Sequence, residues 1–266
     1  MERLSLSDSG VLASDETFRL ESRRLGAGLS TGIAFSKSDV VLLFFDGDLK
    51  LSTADRVRGV TAPAHTYVNA GTAFDITADG DDVSYLIATC PATGLEAAQS
   101  HDPIAQTGGV TILRTDRYDR FPDSGSVRGG MFFLDEGKVA AYHSHDAAAE
   151  VFVFLKGECE AKVQGLSERF SPDDVLYVPA EQKHELANIG DGRLEVWLTV
   201  TPNITPSHIF TKSWRTASGI ELRSGWTDRN RWRPLARRVS QGVRRCCRPP
   251  RRRGLSGTVG ARMSRS

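Results

Sequence analysis

The sequence is poor in cysteine and lacks a long apolar run. Its 266 residues include four cysteines, which form neither a C-x-x-C pair nor a regular framework: Cys90, Cys159, Cys246 and Cys247. This pattern indicates neither a zinc ribbon nor a disulfide scaffold. The longest strongly apolar run, residues 40–45, is far shorter than the ~20 residues of a membrane-spanning helix. The first eight residues lack the apolar core of a signal peptide. We therefore predict a cytoplasmic protein without membrane association.

The sequence also has almost no net charge, but this balance conceals two regions of opposite sign. The formal net charge is +1. Residues 212–266 hold 16 Lys and Arg against two acidic residues, a net charge of +14, so residues 1–211 carry −13. The basic region lacks the periodic apolar residues of a helix-turn-helix, and its composition predicts a disordered tail. A frame-shifted C-terminus and nonspecific binding to phosphate backbones are the alternatives. We expect no nucleic-acid partner.

Helical patterns are missing from residues 1–211, where no segment sustains an apolar period of 3.6 over three turns. Strand patterns take their place. Residues 40–45 form an apolar run that enters the turn Asp46-Gly47-Asp48, and residues 83–88 form a second run that ends before Pro91. The predicted fold class is therefore mainly β.

Three histidines and one glutamate stand at a spacing that suits a single metal ion. The predicted ligands are His143, His145, Glu150 and His184. Neutral imidazoles and a carboxylate suit a divalent ion such as Fe, Mn, Ni, Cu or Zn. Residues two apart on a strand point to the same face, so His143 and His145 can both reach inward from one strand. The other two ligands would come from two further strands. The sequence thus predicts one divalent metal site in a β structure.

The residues around these ligands resemble the two motifs of the cupin superfamily. Residues 137–157 match the first motif, G-x5-H-x-H-x3,4-E-x6-G, at every fixed position. The second motif, G-x5-P-x-G-x2-H-x3-N, is met by Pro179, His184 and Asn188, whereas Asp173 and Glu181 stand at its two glycines. Because these are turn positions, the departure concerns loop geometry rather than the metal. The resemblance implies a small β-barrel of the jelly-roll type.

The first hundred residues resemble a degenerate repeat of the region that carries the two motifs. When Gly47 is aligned with Gly157, the positions of the first three ligands are occupied by apolar residues, namely Ile33, Phe35 and Val40. A repeat of about a hundred residues predicts a duplicated fold. The resemblance then implies a bicupin, in which two barrels follow in tandem and the first has lost its metal site.

A partial match to the second motif lies in the same region. The spacing from His65 to Asn69 repeats the spacing from His184 to Asn188. With apolar residues at the other ligand positions, we interpret His65 as a core or surface histidine and predict no metal there.

These observations divide the chain into four parts. Residues 1–100 are predicted to form the metal-free barrel, residues 101–125 the connector, residues 126–211 the metal-binding barrel and residues 212–266 the disordered basic tail. Within the connector, residues 110–113 read as a strand that crosses over to cover the neighbouring barrel.

Strand parity predicts what surrounds the metal. The residues expected to line the substrate share parity with Glu150 or His184, and they are Phe152, Phe154, Leu186 and Asn188. On the same reasoning Val139 and Ala141 face inward with the histidines. Arg128 and Arg193 are the candidates for an inward cation, and both are expected on loops. The lining therefore favours a small, largely apolar enolisable or phenolic substrate over an oxalate-like anion.

Several function classes fit this site. We predict first a non-haem dioxygenase, similar to the cupins that cleave quercetin or acetylacetone, with Glu150 as a ligand or catalytic base. The alternatives are a metal-assisted isomerase, lyase or decarboxylase, and a cupin that binds a small ligand without turnover. A small-molecule substrate is expected in each case except the last, and a homo-oligomer is possible.

Overall fold

The computed structural model describes residues 2–93, 105–107, 109–116, 120–122, 124–204 and 208–210. All regular secondary structure in these ranges is β-strand, which confirms the predicted class. No helix long and apolar enough to cross a membrane occurs in this part of the chain. The basic segment 212–266, for which disorder was predicted, lies outside the described residues.

Two groups of strands follow each other along the chain. The first group is β1 (Glu2–Ser5), β2 (Gly10–Ser14), β3 (Arg19–Leu25), β4 (Ser30–Ala34), β5 (Ser38–Asp46), β6 (Asp48–Ser52), β7 (Val57–Thr61), β8 (Ala64–Val68), β9 (Ala73–Ala78), β10 (Val83–Pro91), β11 (Ala105–Thr107) and β12 (Val110–Leu113). The second group is β13 (Arg128–Leu134), β14 (Val139–Ser144), β15 (Ala149–Lys156), β16 (Cys159–Val163), β17 (Leu166–Phe170), β18 (Asp174–Val178), β19 (His184–Asn188), β20 (Leu194–Thr201) and β21 (Ile209–Phe210).

Each barrel is built from two antiparallel sheets. In the first barrel the larger sheet has the order β11-β12-β8-β5-β10-β3-β2 and the smaller sheet the order β4-β9-β6-β7. In the second barrel the orders are β1-β18-β15-β20-β13 and β17-β16-β19-β14-β21. The two barrels thus repeat one strand order, with β5, β8 and β10 corresponding to β15, β18 and β20. This confirms the predicted tandem of two jelly-roll barrels.

Apolar side chains on both faces of the central strands create three cores. Successive residues of a strand point to opposite faces. In β5, Val40 and Leu42 pack inside the first barrel, whereas Val41 belongs to a cluster shared by both barrels. In β15, Phe152 packs inside the second barrel, whereas Val151 joins the shared cluster. The larger sheets therefore pack against each other through their outer faces, and each barrel keeps an interior of its own.

The register of the strands fixes the alignment of the two barrels. Glu150 lies opposite Val178 of β18, and Val40 lies opposite Val68 of β8. Both pairs differ by 110 residues, which is also the offset between Gly47 and Gly157. The duplication predicted from the two glycines is thereby confirmed.

The glycine alignment has a steric basis. Gly47 and Gly157 both adopt positive φ, 90° and 89°, a conformation that residues with a Cβ rarely take. A Cβ on Gly47 would lie 2.4 Å from the backbone oxygen of Asp82, and one on Gly157 would lie 3.1 Å from Leu194 Cα. Each glycine therefore permits the tight turn after the central strand of its barrel.

The two departures from the second motif also concern the backbone. Asp173 has φ 75° and Glu181 has φ 66°, so both non-glycine residues keep the left-handed conformation that the motif glycines provide. The Glu181 N–H donates a hydrogen bond to the carbonyl of His145 (2.7 Å). The turn is thus preserved without glycine, as expected from the sequence.

One strand of each barrel comes from a distant part of the chain. β12, in the predicted connector, pairs with β8 of the first barrel, so residues 110–113 do cover a neighbouring barrel. β1 pairs with β18 of the second barrel, although it lies within residues 1–100. Arg3 strengthens this pairing with two hydrogen bonds to the carboxylate of Asp174, at 2.9 and 2.7 Å.

The register corrects one alignment that had been drawn from spacing. His65 lies on β8, which corresponds to β18, and not on β9, which corresponds to β19. The residue equivalent to His184 is Phe74, because Phe74 lies opposite Ile33 just as His184 lies opposite His143. Of the two places expected for His65, core or surface, the structure shows the core, since its side chain is fully buried.

Candidate metal centre

Three neighbouring strands bring the predicted ligands together. His143 lies on β14 directly opposite His184 on β19, and His145 follows the end of β14. Glu150 lies near the start of β15, in the facing sheet. A β-bulge between Ala140 and His143 shifts the register of β14 beside the site, as bulges next to functional residues often do.

The bulge overturns one consequence of strand parity. Val139 was expected to face inward with His143, but it is 51% exposed. Ala140 packs against the interior of the barrel instead. Two residues of β14 occupy the space opposite one residue of β19, so the inward alternation is offset by one before the histidines.

The four ligand residues form one buried cluster. Each offers a ligand atom, and these atoms all lie within 4.8 Å of one another. Glu150 Oε2 is 2.8 Å from His145 Nε2 and 2.8 Å from His184 Nε2. The rings of His143 and His184 are 4.3 Å apart between centroids. Each of the four residues is at most 8% exposed.

Backbone carbonyls orient two of the imidazoles. The Nδ1 atom of His143 is 2.6 Å from the carbonyl oxygen of Ala141, and Nδ1 of His184 is 3.0 Å from that of Gln182. A carbonyl only accepts, so each Nδ1 carries the proton and each Nε2 presents a lone pair to the cluster. The Nε2 atoms of both residues are buried and lack a hydrogen bond of acceptable geometry. This is the arrangement in which second-shell carbonyls hold histidine ligands for a metal.

The electrostatics favour a cation at this position. Burial alone would raise the pKa of Glu150, but its close contacts with the imidazoles of His145 and His184 hold that pKa well below its usual range. Burial, with repulsion from His184, lowers the pKa of His143 to about 4. An ionised carboxylate and a neutral imidazole are the forms that bind metals. The cluster therefore fits one divalent ion, and the predicted cofactor is confirmed at that level.

The equivalent positions in the first barrel are occupied by apolar side chains. Ile33, Phe35, Val40 and Phe74 occupy the places of the four ligands, and all four belong to or pack against the interior cluster of that barrel. Among the described residues, the cluster around Glu150 is the one group of His, Cys, Asp or Glu side chains that could hold a metal.

The predicted lining residues divide into two kinds. Phe152 lies beside the ligands, with its ring 5.7 Å from that of His184. Phe154 stacks on Phe170 deeper in the core, and Leu186 packs in the same cluster. Asn188 donates hydrogen bonds to the carbonyls of Leu134 (2.8 Å) and Gly192 (2.7 Å), which is a structural use of its amide. A direct role in binding substrate stays a prediction for all four.

Sequence reasoning missed His208. Its ring centroid lies 4.7 Å from that of His143 and 4.8 Å from that of His145. The ring of Phe210 stacks on it with an interplanar angle of 10°. His208 follows His184 by 24 residues and matches no motif, so only the pairing of β21 with β14 reveals that it belongs to the site.

Of the two arginines that were expected on loops, the structure places Arg128 on a strand and Arg193 in the loop before β20. Arg128 is the first residue of β13, opposite Val200, which in turn lies opposite Glu150. Residues directly opposite each other share a face of the sheet, so Arg128 and Glu150 point to the same interior. Arg193 lies elsewhere: its guanidinium sits over the ring of Phe133 and pairs with the carboxylate of Glu195.

Comparison with known proteins supports the architecture. The sequence model of the family described as "Cupin domain" matches residues 130–201, which include all four ligands. No curated protein matches the chain in sequence. Among solved structures, the oxalate decarboxylase of Lactobacillus farciminis in complex with formate is similar to this chain, with a TM-score of 0.55 and 15% identity. The similarity covers 78% of this chain and 88% of that one.

The oxalate decarboxylase OxdC of Bacillus subtilis gives a comparable match. Its structure, determined in a study of its Mn(II) centres, has a TM-score of 0.55 with 14% identity, and the similarity covers 78% of each chain. At such low identity these structures establish a common fold. They leave the substrate and the reaction to be argued from the residues of this chain.

Proposed function

We propose that this chain, which belongs to the cupin superfamily and has the two-barrel architecture of a bicupin, is a metal-dependent enzyme acting on a small substrate. The reaction would be one in which negative charge develops on a substrate oxygen. One observation carries the proposal: four buried ligand atoms within 4.8 Å of one another, with the histidines oriented by backbone carbonyls. A divalent ion held by His143, His145, Glu150 and His184 supplies a Lewis acid that stabilises such charge.

The surrounding residues suit this chemistry. Phe152 provides an apolar wall beside the ligands and excludes water from one side of the site. Low local polarity strengthens the electrostatic interactions within the cluster. His208 brings a titratable ring to the side of His143 and His145, where it can exchange a hydrogen bond with a bound substrate.

Two reaction types are the leading candidates. The dioxygenase predicted from the sequence is supported by the apolar aromatic wall, which suits an enolisable or phenolic substrate. A decarboxylase, which was among the alternatives, is supported by Arg128, because a guanidinium facing the ligands suits a carboxylate. The similar structures are oxalate decarboxylases, which is consistent with the second candidate.

The two candidates differ in their demand for oxygen. Full-length protein loaded separately with iron, manganese or nickel would be incubated with acetylacetone, quercetin, oxalate or pyruvate, in air and without oxygen. Oxygen uptake with formation of a cleavage product supports the dioxygenase, and release of carbon dioxide supports the decarboxylase. His143→Ala serves as the inactive variant, and Val40→Ala alters the equivalent barrel without touching a ligand. Metal binding without turnover of any substrate would instead favour a binding protein.

A further inference from the structure

The metal-binding barrel has a strand for which the described part of the first barrel shows no counterpart. β21 pairs with β14 at its outer edge, with Phe210 opposite His143 and Ile209 opposite Ser144. In the first barrel, the equivalent strand β4 pairs only with β9 in the described residues. β21 is therefore placed directly beside the ligands, and it carries the segment 208–210 to the edge of the site.

His208 enters the site through this strand. Its ring lies within 4.8 Å of the ring centroids of both His143 and His145. Phe210, which is 38% exposed, stacks on the His208 ring with the centroids 5.8 Å apart. The stacking orients the imidazole, and the partial exposure of the segment places it between the ligands and solvent. A substrate that approaches from this side meets His208 before it reaches the ligands.

Arg128 faces the same interior from the opposite sheet. It stands in one cross-strand row with Val200 and Glu150, two strand spacings or about 10 Å from Glu150 between Cα atoms. The side chain of arginine is long enough to close much of this separation. His208 contacts His143 and His145, whose ligand atoms cluster with that of Glu150. Arg128 and His208 therefore face a common space.

The chemistry of these two groups selects a substrate class. A guanidinium binds a carboxylate through two parallel N–H···O bonds, and an imidazole N–H donates to a second oxygen. Phe152, whose ring lies beside that of His184, offers no polar group. A small molecule with a carboxylate and a second oxygen close by can bind both groups and the ligand cluster together. A neutral diketone offers the guanidinium no carboxylate.

We propose that Arg128 and His208 form the substrate-recognition pair of this centre and select a small 2-oxo acid or dicarboxylate. Arg128 binds the carboxylate, and His208 donates a hydrogen bond to the neighbouring oxygen. This assignment rests on the proposed function, since it places the substrate beside the metal ligands. It differs from the lining expected from strand parity, which contained no cation.

Calorimetric titration tests the assignment without relying on turnover. The full chain loaded with Mn²⁺ would be titrated with oxalate, with pyruvate and with neutral acetylacetone. We expect Arg128→Gln to weaken the binding of both carboxylates by about 10- to 100-fold, which is the loss of charged hydrogen bonds. The binding of acetylacetone should change by less than about twofold. Arg128→Lys keeps the charge but loses the bidentate geometry, so its effect should be intermediate.

The chain offers a matched control for the arginine. Arg19 lies opposite Thr89, and Thr89 lies opposite Val40, which is the row that Arg128, Val200 and Glu150 form in the other barrel. Arg19→Gln therefore removes an arginine from the equivalent position of the barrel whose ligand positions are apolar, and carboxylate binding should stay unchanged.

The variants of His208 test the second member of the pair. We expect His208→Phe to weaken carboxylate binding and His208→Gln, which keeps a donor, to retain most of it. Metal content should be unchanged in every variant.

The outcomes separate this inference from the proposed function. Equal carboxylate affinity in Arg128→Gln and the parent chain, at equal metal content, overturns the recognition pair. Failure of the manganese-loaded parent to bind either carboxylate also overturns it, while leaving the metal centre intact. Absence of bound metal in the parent contradicts the proposed function itself. Circular dichroism of each variant checks that the fold is kept. If Arg128→Gln does not fold, the carboxylate affinity of Arg128→Lys tests the recognition pair instead.

Discussion

The two barrels of this chain share one strand order but use equivalent positions in opposite ways. In the second barrel, His143, His145, Glu150 and His184 converge on one point. In the first, the residues at the same positions are Ile33, Phe35, Val40 and Phe74, and they pack in the barrel interior. The jelly roll therefore folds with either a metal site or a hydrocarbon core at this place. The metal is an addition to the fold and is not required by its topology.

The difference also explains what each barrel requires around these residues. Buried apolar side chains need only close packing, and each contributes roughly 1.5–3 kcal/mol by removal from water. Buried imidazoles and a carboxylate cost free energy unless they are paired. The second barrel meets this requirement with the carbonyls of Ala141 and Gln182 and with the contacts to Glu150. The first barrel needs no such partners.

The largest expected effect concerns packing in the metal-free barrel. Phe74 is 3% exposed and fills the place of His184. Phe74→Ala should lower the free energy of unfolding by about 3–5 kcal/mol, because truncation of a buried Phe leaves a cavity. Urea denaturation would measure this, and metal content should not change. Ile33→Val, a smaller deletion nearby, should cost only about 0.5–1.5 kcal/mol. Similar small losses for both variants would show that this position is not a packed core.

Metal binding should stabilise the second barrel alone. Mn²⁺ at about 100 times its dissociation constant should raise the free energy of unfolding by about 2.7 kcal/mol, since the ion binds the folded state. A chelator should reverse the gain. His143→Ala should abolish it, whereas Val40→Ala should keep it. A gain that survives in His143→Ala would assign the stabilising ion to another place.

The pH dependence of stability should reveal the histidine of the metal-free barrel. Burial lowers the pKa of His65 to about 4, and its Nε2 is 2.7 Å from the carbonyl oxygen of Arg114. The unfolded value is about 6.5, so the unfolded chain takes up a proton first as the pH falls. The contribution of His65 is therefore complete above about pH 6.5 and decreases toward pH 4, by about 2 kcal/mol at pH 5.

His65→Gln isolates that contribution. In the presence of a chelator, the difference in unfolding free energy between pH 7.5 and pH 5 should be about 2 kcal/mol smaller in the variant than in the parent. The comparison cancels the effects of the other histidines, which both chains retain. An unchanged pH dependence would mean that His65 is protonated in the folded state as easily as in the unfolded chain.

A smaller effect than that of Phe74→Ala is expected at Asn188. Its amide donates to two backbone carbonyls near the end of β19, where the first barrel has Ala78 and uses no side chain. Asn188→Ala should cost about 1–2 kcal/mol, because buried carbonyls lose their donors. Metal content should stay at the level of the parent. Loss of the metal instead of stability would show that Asn188 acts on the site directly.

Three of the four ligands were predictable from the sequence because their spacing is local, and His184 was predictable from the second motif. His143 and His145 are separated by one residue, and Glu150 begins the next strand. Regular alternation along β15 also predicted that Phe152 faces inward, and Phe152 does pack inside the second barrel. Where a strand is regular, residue parity is sufficient to assign its two faces.

Other features depended on long-range pairing and could not be read from spacing. The bulge in β14 turned Val139 outward, and the register of β8 showed that His65 is not the counterpart of His184. Arg128 and His208 reach the site only because β13 and β21 pair with strands distant in sequence. The spacing of residues in the sequence identifies side chains on one strand. Arg128 and His208 instead approach the ligands from other strands.

The most direct test of the central claim is the metal stoichiometry of the purified chain. Elemental analysis of the parent, His143→Ala and Val40→Ala would count the ions bound per chain. The structure predicts one divalent ion in the parent and in Val40→Ala, and close to none in His143→Ala. Full retention of metal in His143→Ala, or its loss from Val40→Ala, would contradict the assignment of a single centre to the second barrel.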